Sequence, residues 1–387
     1  MALTARIKAL APRGRVTWML VALNIAAWLG AIVFGADPLR PTAAQLLLLG
    51  GNAASEVQQG QWWRLLTSSF LHIGPVHLAL NMLGLLLVGP TVERLYGHWL
   101  FLLLYIGAAL AGAAASLHFS AGSGVSVGAS AAVFGCAGSL LTMLVRHRRQ
   151  LPQKFGRQAL AGLVLVIVVA LVQGLAPGVD NAAHVGGLLA GIALALILPG
   201  RFDDAASGAF EPQHADRPMH RSRVLRTALG VLSIVAVSGL VAVTAPRAPF
   251  DLSEAFQASA AMERGMREFS DALEQLQREA DDVEARQLSE DQADRRSRTL
   301  HAPRFQRLVG ELSAIRLPPN DPRAPLLATT LRASSLLLEH LAMESRSVDG
   351  RPVAVDPVRS ATIAAELGRL NAEILKLATQ LKQPPAR

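Results

Sequence analysis

The chain is poor in cysteine and in charge. One cysteine, Cys136, in 387 residues excludes an intramolecular disulfide framework and any metal site built from several thiolates. Charged residues make up only 17% of the chain and hydrophobic residues 51%. Soluble domains usually carry roughly 25% charge, so an ordinary water-soluble globule is excluded. Charge is also missing locally: no Asp, Glu, Lys or Arg stands between Arg94 and Arg146. No H-E-x-x-H helix is present either, which removes the commonest metalloprotease signature.

What charge there is has a pattern. The net charge of +8 would suit a nucleic-acid binder if it were spread along the chain. Residues 1–246 hold 17 Lys+Arg against 8 Asp+Glu, whereas residues 247–387 hold 20 against 21. The basic excess thus belongs to the apolar part, which points to a lipid bilayer as the partner and excludes nucleic acid. At about 150 residues per domain, the length predicts two to three domains.

A helical membrane span needs about 20 predominantly apolar residues. Seven charge-free windows qualify: 16–35, 70–92, 99–117, 127–145, 158–177, 182–199 and 227–245. The basic residues before the first window resemble a signal-peptide n-region, but the apolar run is long and no A-x-A site follows, so it reads as an uncleaved anchor. With the N-terminus in the cytoplasm, 15 of the 17 Lys+Arg before residue 247 fall on that side, and only Arg40 and Arg64 fall outside. The expected organisation is an all-α membrane protein. It comprises a cytoplasmic tail (1–15), a six-span domain (16–200), a basic cytoplasmic linker (201–226), a seventh span (227–245) and an extracytoplasmic helical region (247–387). In the last region Met262, Met266, Phe269, Leu273 and Leu276 alternate steps of four and three, as in a packed helix. Further helices are expected at about 324–346 and 357–382, set apart by LPPNDPRAP and DGRPVAVDP.

Polar residues inside spans are expensive, and each is a functional hypothesis. The second window carries His72, His77 and Asn81, the last two at i and i+4 on one helix face. Such groups also serve as interhelical hydrogen-bonding glue, and both readings stand at this point. The fourth window opens with SVGASAAVFG, so Ser130 stands just inside the outward end of a helix. A serine in an Ala/Gly-rich helix often only packs. A helix N-terminus, however, offers unpaired N–H groups suited to an oxyanion. The sixth window opens with NAAHVGGLLAG, where His184, Gly187 and Gly191 share one face and the glycines admit a close neighbour. The topology read from charge alone sets Ser130 and His184 at the same depth and on the same side. Serine needs an adjacent base and histidine supplies one. His77 and Asn81 can add N–H donors to the oxyanion side. Asp180 reads as a loop residue rather than a third catalytic member, and Cys136 as a small packing residue.

Taken together, these residues resemble the rhomboid family of intramembrane serine proteases over about residues 16–200. Trp63-Arg64 is similar to the family's W-R in the loop after the first span, and His72, His77 and Asn81 fit H-x4-H-x3-N. Gly128-Ala129-Ser130-Ala131 resembles the G-x-S-G nucleophile motif, and Ala183 to Gly191 fits A-H-x-x-G-x-x-x-G. Glu93-Arg94 resembles a structural pair on the cytoplasmic side. The resemblance implies Ser130 as nucleophile, His184 as general base and His77 with Asn81 on the oxyanion side. His72, Gly128, Phe134, Gly187 and Gly191 are implied as supporting residues. It implies no cofactor and no metal. Its substrates would be single-span membrane proteins, cut where the helix unwinds, and its location a bacterial plasma (inner) membrane. Ala131 stands where glycine is frequent, and Phe134 where some members have tyrosine; neither removes a catalytic atom. Two other readings are a catalytically silent rhomboid-like adaptor for membrane clients, and a metal or transport site built from His72, His77 and His184.

Overall fold

The computed structural model describes residues 14–119, 124–149, 153–176, 178–200, 221–348 and 351–382. The expected N-terminal tail up to residue 13 and the linker residues 201–220 lie outside them. The chain divides into two compact units with the boundary between Leu252 and Ser253.

The first unit holds the apolar helices: α1 (Arg15–Val33), α5 (Gly74–Tyr96), α6 (His98–Phe119), α7 (Ser130–Arg146), α8 (Gln153–Gln173), α9 (Asn181–Ile197) and α10 (Arg221–Val243). Three short helices, α2 (Ala43–Leu48), α3 (Ala54–Gln58) and α4 (Arg64–Thr67), lie in the loop between α1 and α5. Among the described residues, five helices are long and apolar enough to cross a membrane, and α7 and α9 are shorter, at 17 residues each. At 1.5 Å per residue such a helix is about 25 Å long, short of a hydrocarbon core of about 30 Å. The two helices bearing Ser130 and His184 are therefore the shortest of the apolar helices.

The expected windows shift by a few residues. The second window spans 70–92, but α5 begins at Gly74, and His72 lies in the turn before it. Gly74 has φ +75°, a Cβ there would meet Leu39 O at 2.3 Å, and Pro75 follows in the first turn. Proline lacks an N–H and has a helical φ, so it starts a helix where it would break one further in. At α1 the helix begins on Glu93, whose carboxylate accepts the N–H groups of Val16 and Thr17 at 2.9 Å each and the Thr17 hydroxyl at 2.7 Å. Two orphan donors and the positive helix end are satisfied by one buried carboxylate.

Glycine sets the packing in the middle of this unit. A Cβ on Gly187 would stand 2.1 Å from Ala131 O, and one on Gly191 2.0 Å from Gly135 O. A Cβ on Gly135 would stand 2.1 Å from the Ala108 Cβ of α6 and 3.1 Å from Gly187 O of α9. Thus α7 touches α9 backbone to backbone, the small-residue contact that lipid-embedded helices use. Leu85, Phe101, Leu104, Tyr105, Leu194 and Leu198 are fully buried around it.

The second unit is helical: α11 (Leu252–Glu284) runs into it, followed by α12 (Glu290–Arg296), a π-helical turn (Ser297–His301), α13 (Ala302–Ala314), α14 (Ala324–Ala342) and α15 (Pro357–Lys382). Met262, Phe269, Phe305, Leu308, Leu312 and Ile374 form its core, with Phe269 and Phe305 edge to face at 6.4 Å. Two features depart from expectation. α12 and α13 lie between the spacing read at 262–276 and LPPNDPRAP, in a stretch for which the sequence predicts no element, because its many charges mask the apolar stripe Phe305, Leu308 and Leu312. The helix expected to reach 346 stops at Ala342, and an antiparallel hairpin follows, β1 (Ser345–Val348) with β2 (Arg351–Ala354), Ser345 opposite Ala354. Alternating valines favour strands over helix there, and the Asp-Gly pair in the sequence between them is a hairpin signal.

Candidate active site

The turn ahead of Ser130 is built from two approaching loops. Asn52 and Ser126 exchange backbone bonds, Asn52 N to Ser126 O at 3.0 Å and Ser126 N to Asn52 O at 2.8 Å. Asn52 is buried, and its Nδ2 donates to Ala113 O on α6 at 3.0 Å. Two residues beyond Ser126, the Gly128 N–H donates to Ser68 O at 2.9 Å. Gly128 has φ +128°, outside what a side chain tolerates, so the chain turns there and α7 can begin only afterwards. Ser130 is its first residue, at the end where free N–H groups and the positive dipole gather.

The candidate base comes from α9. Asp180 caps that helix by accepting the Ala183 N–H at 3.0 Å, and His184 follows one turn in. His184 Nε2 lies 2.9 Å from Ser130 Oγ. The Phe134 ring, one turn below Ser130, stacks on the imidazole at 4.7 Å and 16°. His184 Nδ1 meets no hydrogen-bond partner among the described residues. The ring is thus oriented by stacking and by the serine hydroxyl.

His77 closes the site from α5. The Ile73 N–H donates to His77 Nδ1 at 3.2 Å, so Nδ1 carries a lone pair and the ring proton belongs on Nε2. That Nε2–H lies beside the turn at Gly128. A Cβ on Gly128 would meet His77 Nε2 at 2.9 Å and Ser130 Oγ at 3.8 Å. The space that glycine leaves empty is bounded by an N–H donor and by the Ser130 hydroxyl, an arrangement that could hold an oxyanion formed at that serine. Asn81, one turn on and buried, spends one N–H on His77 O at 2.9 Å and keeps the other. His72 sits 5.2 Å from the His77 ring, tilted 60°, and walls that side. Among the described residues no group of three His, Cys, Asp or Glu is arranged to hold a metal.

Other sequence-predicted residues serve as scaffold. Arg64 Nη1 donates to Leu47 O at 2.5 Å and Gly51 O at 3.0 Å, and its guanidinium lies 4.7 Å from the Trp63 ring. Burial lowers its pKa and Glu56 opposes the shift; arginine stays charged regardless. Glu93 caps α1, as described above. Gly187 and Gly191 bring α9 onto α7, which sets the reach of His184 to Ser130. Cys136 is fully buried in the core. Sequence reasoning missed Asn52 and Ser68, the partners that hold the turn ahead of Ser130. Their contacts are made by main-chain atoms or to main-chain atoms far away in sequence, so no residue pattern announces them.

Residues 59–201 match the family description "Rhomboid domain". Among curated proteins, Rhomboid protease GluP of Bacillus subtilis is 39% identical over 186 residues, 47% of this chain and 35% of that protein. Rhomboid protease AarA of Providencia stuartii is 36% identical over 204 residues, 47% of this chain and 72% of that protein. Rhomboid-type serine protease 2 of Emericella nidulans is 34% identical over 149 residues, 38% of this chain and 29% of that protein. The similarity thus spans about a third of the Bacillus and Emericella proteins and most of the Providencia one. The matched rhomboid domain itself ends at residue 201.

Proposed function

Because the chain belongs to the rhomboid family of multi-pass membrane proteins, we propose that it is an intramembrane serine endopeptidase working through Ser130 and His184. The observation that carries this reading is the 2.9 Å contact between His184 Nε2 and Ser130 Oγ. Ser130 Oγ attacks a substrate carbonyl while His184 Nε2 takes its proton. The oxyanion forms beside Gly128, where the His77 Nε2–H and the spare Asn81 N–H donate to it. His184 then protonates the departing amine, the acyl group remains on Ser130, and water activated by the same imidazole releases it. An acid on Nδ1 is not needed for this cycle, since Phe134 keeps the ring in plane.

The substrates are single-span membrane proteins. A protease must reach an extended carbonyl, and a stable helix hides its carbonyls in i→i−4 bonds. Spans containing glycine or proline unwind more cheaply and are the preferred targets. The basic loops set the N-terminus in the cytoplasm of a bacterial cell, with Ser130 and residues 247–387 on the outer side.

A fluorophosphonate probe and a transmembrane reporter substrate test the assignment. Wild type is labelled and cleaves; Ser130→Ala and His184→Ala lose both. His77→Ala keeps the dyad and loses about 10²–10³ in kcat. Cleavage that survives Ser130→Ala overturns the reading, and client binding indifferent to Ser130 identifies an adaptor instead. Reporter fusions at residues 14 and 252 test the topology.

A further inference from the structure

The end of the seventh span is bolted to the loop ahead of the second. Gln58 uses both ends of its amide: Nε2 donates to Pro246 O at 2.8 Å and Oε1 accepts the Ala248 N–H at 3.0 Å. Ser55 Oγ accepts the Leu252 N–H at 3.2 Å and donates to the buried Glu56 carboxylate. Gln59 Nε2 donates to Asp251 Oδ2. Beneath these bonds Ala242 and Ala245 pack with Ala54, Val57, Leu65 and Ala113 in one buried cluster. The partners are separated by nearly two hundred residues in sequence, so chain connectivity does not enforce the contact.

What is held there matters for the site. α3 has five residues, far below the roughly 12–15 at which an isolated helix becomes even marginal. The Asn52–Ser126 pair is a lone bridge outside any sheet, and isolated strand pairing is marginal in water. Neither element has stability of its own, and both must borrow it from neighbours. Asn52 leads into α3 on one side, and Ser126 leads into Gly128 and Ser130 on the other.

We propose that Gln58 and the segment Pro246–Leu252 form a positioning clamp through which the seventh span holds the Asn52–Ser126 bridge, and with it the turn carrying Ser130. The seventh span is then part of the catalytic scaffold, although it lies beyond the matched domain. Gln58 touches no reacting atom; it is a positioning residue. The proposal rests on Ser130 as nucleophile for its catalytic consequence, and on the bridge alone for its structural one.

Hydrogen exchange on the full chain in detergent micelles separates the two. In Gln58→Ala, which removes two hydrogen bonds, amides of 124–128 exchange at least about twofold faster than in wild type, the low end of what a single hydrogen bond contributes. Fluorophosphonate labelling of Ser130 slows by a similar factor, and kcat falls while KM for the reporter substrate holds. Gln58→Met, which keeps side-chain length at this exposed position and removes both bonds, gives the same result if Gln58→Ala folds poorly. Faster exchange confined to 55–59 and 246–252, with 124–128 at the wild-type rate, overturns the clamp. So does a labelling rate unchanged in a variant whose 124–128 exchange has risen, or a rise in KM alone. If wild type is never labelled but the exchange effect reaches 124–128, the clamp stands and the protease reading falls.

Discussion

In the apolar unit, Gly191 brings α9 so near α7 that a Cβ would stand 2.0 Å from Gly135 O. In the C-terminal unit, Gly265 brings α11 against α13, and there a Cβ would meet Leu312 Cδ2 at 2.5 Å. The first neighbour is backbone and cannot give way; the second is the tip of a flexible side chain. The difference follows from the solvent. Lipid tails are as apolar as leucine, so burying leucine between membrane helices gains little, and association relies on close backbone contact and internal hydrogen bonds. In water, burial itself drives packing, and the second unit fills its core with Phe269, Phe305, Leu308 and Leu312.

The most direct way to break this comparison is the same substitution in both places. Gly191→Ala forces α9 away from α7 and carries His184 from Ser130. A displacement of about 1 Å at a catalytic pair can remove about 10² of rate. Fluorophosphonate labelling is therefore expected to fall at least that far. Gly265→Ala exchanges a flexible helix residue for a better helix former and is expected to leave the stability of its unit within about 1 kcal/mol of wild type. Equal effects of the two would mean that lipid and water make no difference to how these units pack.

A second contrast is sharpened by Phe305→Ala. Phe305 is fully buried and edge to face with Phe269. Its truncation is expected to remove about 3–5 kcal/mol from the second unit, read as faster amide exchange across α11, α13 and α14. Labelling of Ser130 is expected to stay at the wild-type rate. A matching truncation effect on labelling would show that the core of the second unit supports the dyad.

The two units also differ in how much of them could be read from sequence. The apolar helices and the pairing of Ser130 with His184 were legible, because charge placement sorts the spans and few polar residues survive inside them. Helix starts were less so: His72 lies before α5 because Gly74 and Pro75 begin the helix, a local effect that an apolar window averages away. Gly128 was legible as part of a motif, but not as the residue whose missing Cβ leaves space between His77 and Ser130. In the second unit α11 showed its heptad-like spacing, whereas α13 was hidden by Arg304, Arg307 and Glu311. Contacts such as Gln58 to Pro246 join segments that nothing in local sequence pairs.

Carboxylates give the smallest contrast. In the apolar unit Glu93 is fully buried and met by two backbone N–H groups, the Thr17 hydroxyl and the His98 ring, whose Nδ1 lies 2.5 Å from Oε1. In the second unit Asp321 is met by a guanidinium: Arg323 Nε donates to Oδ1 at 2.9 Å, Nη2 to Oδ2 at 2.6 Å, and the Arg323 N–H adds a third bond at 2.8 Å. These bonds from Arg323 hold the Asp321 pKa below its ordinary value of 3.8. A carboxylate with a lowered folded-state pKa contributes stability that is complete above the ordinary value and is lost as pH falls through the lower one. Asp321→Asn is therefore expected to cost the second unit about 0.2–1 kcal/mol at neutral pH, the usual worth of a partly exposed pair. The difference between variant and wild type should shrink as pH drops below the ordinary carboxylate range, and should weaken with added salt. Denaturation of the full chain across pH, followed by exchange in α11 and α14, reads it. A difference that stayed constant down to the most acidic folded sample would assign the loss to packing rather than to charge.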